Sequence, residues 1–155
     1  MTLIRKATFD DIPVLVDFQQ KLAQESESVT LDEKVLTKGL TAMMADPSRG
    51  FYNVAIYNGE VAGCHMITFE WSDWRNRMVW WIQSVYVAPT ARGRGVFRAL
   101  YEHAKREAQA QGAGGLRLYV DVTNRRAQAV YAALGMKGDH YRVFEDMFRE
   151  LARIG

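Results

Sequence analysis

The stretch IQSVYVAPTARGRGVFRAL, Ile82 to Leu100, changes character twice. It opens as the end of an apolar strand, passes through a turn rich in arginine and glycine, and continues at once as a helix. Gly93 and Gly95 allow a tight backbone turn and a close approach to a ligand with no Cβ in the way. The first-turn amides of the helix, Gly95 to Arg98, lack intrahelical acceptors and lie at the positive end of its dipole. Such a terminus suits phosphate or pyrophosphate, and Arg92, Arg94 and Arg98 add positive charge around it. The nucleotide P-loop is excluded because no lysine follows Gly95. The dinucleotide fingerprint fits poorly, since its third glycine position holds Arg98 and several elements precede the turn.

Working outward, the chain has 155 residues, enough for one domain with a real core, and the expectation is a single domain over 1–155. It is 48% hydrophobic, 12% aromatic and 25% charged, which excludes a disordered tail or a collagen-like repeat. A net charge of +2 argues against a non-specific nucleic-acid binder. Arginine outnumbers lysine 14 to 6, and its planar fork suits phosphate and carboxylate groups. Lys6, Asp10 and Asp11 stand where a signal peptide needs an apolar run, and no stretch has the ~18 apolar residues of a membrane span. A cytoplasmic protein with no membrane partner is expected.

The pattern predicts a strand at Leu3–Ala7, then a helix starting at Asp10 and Asp11 with Pro13 in its first turn. A second helix is expected from Thr30, with Glu33 completing a capping box, and ending at Pro47. Asn58-Gly59 marks a tight hairpin between strands Phe51–Tyr57 and Val61–Phe69, with Gly63 at a bulge or close approach. A loop from Glu70 to Arg77 leads to a strand Val79–Val87. After the Gly95 helix come a strand Leu116–Val122, a helix Asn124–Leu134 and a last strand His140–Met147. The order β-α-α-β-β-β-α-β-α-β makes an α/β protein with a mixed sheet.

Two spaced motifs then point to a family. Val87-x-Pro89-x-x-Arg92-Gly93-x-Gly95-Val96 resembles motif A of the GNAT superfamily of acyl-CoA-dependent N-acetyltransferases, Q/R-x-x-G-x-G/A, with Phe97 standing at its last position. Asn124-x-x-Ala127-x-x-x-Tyr131-x-x-x-Gly135-Met136 resembles the family's motif B at every quoted position. The hairpin and the opening helices fall in the family's order, so the resemblance covers nearly the whole chain. Ser72-Asp73-Trp74 and the run Trp81 to Val87 resemble the diamine (polyamine) acetyltransferase branch, which usually has glutamate where this chain has Gln83.

The resemblance implies direct transfer of an acetyl group from acetyl-CoA to a primary amine of a small molecule, of the di- or polyamine, amino-acid or amino-sugar kind. It implies pantetheine contacts from Val85, Tyr86 and Val87, and a pyrophosphate seat on Gly93, Arg94, Gly95, Val96, Phe97 and Arg98 beside Arg92. Asn124 would bond the pantetheine beside Ala127, and Tyr131 would be the general acid at the CoA sulfur. A phenol with a pKa of about 10 suits a thiolate leaving group. Glu70 is the expected base or amine-attracting carboxylate, with Asp73 and a Tyr86 water relay as alternatives. A homodimer is expected. Acetylation of a protein N-terminus or lysine, and a non-catalytic acyl-CoA sensor, remain open alternatives.

The other reactive side chains read as structural. His65 lies mid-strand among apolar residues and is expected in the core, Cys64 reads as a buried small hydrophobe, and no metal-ligand spacing appears. Of Trp80 and Trp81, one must face the core, because neighbours on a strand point opposite ways.

Overall fold

The computed structural model describes residues 1–154. They divide into two compact units, residues 1–117 with the C-terminal residues from Leu151 on, and Leu118–Glu150.

The first unit begins with β1 (Thr2–Lys6) and a 3-10 turn (Phe9–Asp11) leading into α1 (Ile12–Glu27). The Asp11 carboxylate accepts from the Thr8 amide and takes both Nη groups of Arg5, at 2.7 and 2.9 Å. β2 (Thr30–Leu31) and α2 (Glu33–Ala45) follow. The expected capping box at Thr30 is corrected here. Thr30 is in β2, and Asp32 caps the helix by accepting from Lys34 and Val35. A residue already extended and paired cannot also turn its hydroxyl onto a helix start, and the next acceptor along the chain takes that place.

β3 (Phe51–Tyr57) and β4 (Glu60–Ser72) form the expected hairpin, with Asn58 at φ 51° and Gly59 at φ 77°. Two consecutive left-handed residues match the twist of the flanking strands. Ala55 pairs with Gly63 and Ile56 with Val61, so β4 bulges there. A Cβ on Gly63 would stand 2.9 Å from the Tyr86 carbonyl and 3.1 Å from Val96 Cγ1. Gly63 therefore lies at both a bulge and a close approach.

β4 runs to Ser72 and β5 (Arg77–Val87) starts at once after Asp73–Asn76, so Glu70 and Trp71 are strand residues rather than loop residues. A 3-10 turn (Pro89–Ala91), α3 (Val96–Ala110) and β6 (Gly115–Arg117) complete the main sheet, ordered β1-β3-β4-β5-β6, with β6 parallel to β5. β7 (Arg153–Ile154) pairs with β2. One face of the sheet packs against α1 and α2 through Tyr52, Val54, Cys64 and Tyr86 with Leu15, Phe18 and Leu40. The other packs Ala55 and Ala62 against Val96 and Leu100 of α3. Among the described residues no helix is long and apolar enough to cross a membrane.

The second unit holds α4 (Arg125–Ala133), capped by Asn124 and left through Gly135 at φ 92°. Two expectations are corrected here. The strand Leu116–Val122 is a strand only as far as Arg117, and His140–Met147 is not a strand. Alternation of apolar residues makes a strand possible, but a neighbouring strand must supply the ladder.

Candidate functional site

β5 carries the candidate site. Cys64 pairs with Tyr86 and Met66 with Gln83, so β5 holds one residue more than β4 across that interval. Ser84 takes up the excess with φ 52°, a left-handed conformation unusual for a residue bearing a Cβ. The bulge is held from α1. Buried Gln19 donates through Nε2 to the Ser84 carbonyl at 3.3 Å, and the Cys64 thiol donates to the same oxygen at 3.7 Å. Burial pushes the Cys64 thiol up to about 12, so the sulfur stays protonated and packs as a small hydrophobe, as its sequence context implies.

Past the bulge, β5 ends at Val87 and the chain turns through Gly93 and Gly95, at φ 75° and 79°, into α3. Gly95 is the N-cap, and the ladder of the helix opens with the Ala99 amide donating to the Gly95 carbonyl at 3.0 Å. The amides from Gly95 to Arg98 precede that bond, which is the arrangement of a helix-terminus anion site. Nothing lies within 4 Å of where a Cβ would stand on either glycine. Their left-handed backbone therefore reflects the turn itself, and the space above it is open. Arg94 and Arg98 are exposed beside it, Val96 anchors the helix in the core, and Phe97 is half-buried against Tyr101. The turn has the donors, positive charge and room that a pyrophosphate requires.

Arg92 and Tyr86 do something the sequence did not disclose. The Tyr86 hydroxyl donates to Glu25 of α1 at 2.6 Å, and Arg92 donates to the other oxygen of Glu25 at 2.8 Å. Burial first, and the Glu25 carboxylate next, push the Tyr86 hydroxyl up to about 12. Tyr86 is therefore a fixed proton donor to Glu25, which leaves it poorly placed for a water relay. Glu25 carried no sequence signal, because it lies on α1, distant in sequence from both partners.

Glu70 lies toward the other end of β4. By strand alternation it shares with Thr68, Trp81 and Gln83 the face that carries α1 and α2. It accepts from Trp81 Nε1 at 3.2 Å and from Arg117 at 2.5 Å. These two donors, Trp81 foremost, hold its carboxyl below the usual range. Gln83 donates to the Thr68 hydroxyl at 2.7 Å. Asp73, in the β4–β5 turn, accepts from the Trp74 amide. Trp80 faces the core against Phe51 and Phe69, as alternation requires of one of the pair.

His65 is fully buried, 2.9 Å from the Asn53 amide, and burial pushes its imidazole down to about 3. It is a core histidine.

In the second unit the Asn124 carbonyl oxygen caps α4 by accepting from the Ala127 amide at 3.0 Å. This cap uses the oxygen and not the amide nitrogen. Tyr131, two turns along α4, is half-buried, and burial raises its hydroxyl above the ordinary value.

Comparison with known proteins agrees with this architecture. Residues 15–136 match the acetyltransferase (GNAT) family model. The chain is 26% identical over 152 residues to the aminoalkylphosphonate N-acetyltransferase of Salmonella typhimurium, covering 92% of this chain and 97% of that protein. It is 33% identical over 99 residues to the thialysine N-epsilon-acetyltransferase of Bos taurus, covering 59% of this chain and 58% of that one. The structure of a possible acetyltransferase from Clostridium difficile 630 superposes with a TM-score of 0.88 at 38% identity, covering 97% of this chain and 99% of that chain. The glycine turn at the end of a bulged strand and these likenesses lead to one assignment: the chain belongs to the acetyltransferase (GNAT) family and is an acetyl-CoA-dependent N-acetyltransferase.

Proposed function

We propose that the chain acetylates the primary amine of a small molecule, of the di- or polyamine, amino-acid or amino-sugar kind. The observation that carries this reading is the Ser84 bulge in β5 followed, just past the end of that strand, by the Gly93–Gly95 turn. A bulge leaves backbone groups of β5 without partners on β4, and the turn offers amides to phosphates a short way further on. The names of two relatives, acting on aminoalkylphosphonate and on thialysine, support a small amine as acceptor.

Acetyl-CoA supplies an acetyl group already activated as a thioester. In this reading Gly93, Arg94, Gly95, Val96, Phe97 and Arg98 hold its pyrophosphate, while the backbone of Val85, Tyr86 and Val87 holds the pantetheine arm. Asn124 adds a side-chain amide next to Ala127. Tyr131 keeps a proton on its hydroxyl through neutral pH, as a donor to a leaving sulfur must. Glu70 stays ionised under the same conditions, which suits attracting and orienting an ammonium group better than accepting its proton. A cytoplasmic homodimer belongs to the same proposal. The exposed Trp71, Trp74 and Met78 near the β4–β5 turn support the pairing.

The test is thiol release from acetyl-CoA against polyamines, amino acids, aminoglycosides and short peptides. Turnover with a small amine is the expected result. Turnover with peptides alone would replace this reading with protein acetylation. Binding of CoA without turnover on any amine would favour a sensor.

A further inference from the structure

Glu25 lies in the last turn of α1, where the sequence gives it the look of a solvated charge. Its two carboxylate oxygens have separate tasks. Oε2 accepts from the Tyr86 hydroxyl at 2.6 Å, and Oε1 accepts from Arg92 Nη2 at 2.8 Å. Arg92 is held twice more, through Nε to the Val87 carbonyl at 2.9 Å and by its guanidinium 5.4 Å from the centre of the Tyr86 ring. A guanidinium engaged on two edges and stacked on one face has its orientation set and its charge paired.

We infer that Glu25 is a positioning residue for the acyl-donor turn: it ties Arg92 into the fold, so that Arg92 secures the exit from β5 while Arg94 and Arg98 supply the charge for phosphate. The inference rests on the reading of that turn as the pyrophosphate seat. Its electrostatic corollary is specific. With Arg92 in place, Glu25 belongs to a neutral pair. Without Arg92, a carboxylate with no compensating charge stands beside an anion site and repels its ligand.

Two readings of Arg92 therefore predict opposite results. If Arg92 braces the turn, Glu25→Gln removes the charge that pairs the guanidinium and leaves one acceptor oxygen where the carboxylate had two, which raises the KM for acetyl-CoA about 5-fold, with kcat and the acceptor KM little changed. If Arg92 is itself a phosphate ligand restrained by Glu25, the same variant frees it and lowers that KM. Arg92→Gln raises the KM further, by about 10-fold or more. The double variant Glu25→Gln with Arg92→Gln recovers part of that loss, because the repelling charge is gone. Tyr86→Phe removes one tie to Glu25 without altering charge and produces a smaller rise.

The measurements are steady-state kinetics in both substrates, CoA binding by calorimetry, and a melting curve for each variant. An acetyl-CoA KM that is unchanged or lowered in Glu25→Gln, or a double variant no better than Arg92→Gln, would overturn the inference while leaving the enzyme assignment intact. Failure of the wild type to bind CoA would instead remove the site reading, and the inference with it.

Discussion

Gln19 of α1 donates its side-chain amide to the Ser84 carbonyl at the point where β5 leaves register with β4. The bulge thus has a half-buried acceptor held by two side chains, the Gln19 amide and the weaker donor Cys64. Gln19→Leu keeps the approximate volume and leaves the Ser84 oxygen only the weak Cys64 thiol as donor. Loss of the stronger of two donors at a half-buried acceptor costs about 1 kcal/mol. The variant is expected to melt several degrees lower, as read by thermal denaturation followed by circular dichroism.

Tyr131 provides the sharpest kinetic prediction. Removing a general acid lowers turnover by about 10²- to 10⁴-fold. Tyr131→Phe is expected to lose activity in that range in a thiol-release assay while CoA binding by calorimetry is retained. Its raised pKa has a definite sign. The donor form is present throughout the neutral range, so any loss of rate from Tyr131 ionisation falls above about pH 10.

Glu70 is held ionised by Trp81 and Arg117, so it does not titrate in the neutral range. Glu70→Gln keeps an acceptor for Trp81 and removes the charge. An exposed charge of this kind changes binding modestly, and the KM for a cationic acceptor is expected to rise about 2- to 5-fold while turnover holds. The effect should shrink at high salt. Loss of turnover by about two orders of magnitude or more would instead identify Glu70 as the base.

His65 makes stability depend on pH. Its folded pKa lies near 3 and its ordinary value is 6.5, so below pH 6.5 the unfolded chain takes up a proton that the folded chain refuses. Stability from this group is complete above pH 6.5 and declines as the pH falls toward 3. At about pH 5 the decline amounts to about 2 kcal/mol. Urea midpoints compared at neutral pH and at about pH 5 are expected to drop in the wild type and to stay flatter in His65→Gln.

Much of this site could be read along the chain. The Asn58-Gly59 hairpin and the Gly93–Gly95 turn rest on left-handed backbone that few residues tolerate, and Gly63 on a contact with no room for a Cβ; such residues announce themselves locally. Asn124 was legible as a helix start because its side-chain oxygen can accept from an amide of the first turn. The Ser84 bulge was not, because serine in a left-handed conformation follows no local rule and arises from the mismatch between β4 and β5. The expected strands at Leu116–Val122 and His140–Met147 failed for a related reason. Their alternation is real, but a ladder needs a neighbour that a local pattern cannot name.

The sequence by itself determined the family, the strand–turn–helix built around Gly93 and Gly95, and the positions of Tyr131 and Asn124 on one short helix. Those features depend on residues a few positions apart, where glycine freedom, capping and helical spacing act directly. Only the tertiary structure decided that Arg92 is held by Glu25, that Tyr86 is locked as a donor, and that Glu70 is paired with Arg117. Each of these joins groups brought together by sheet pairing and by the packing of α1. A charged side chain takes its role from whichever partner lies within hydrogen-bond reach, and the fold alone sets that distance.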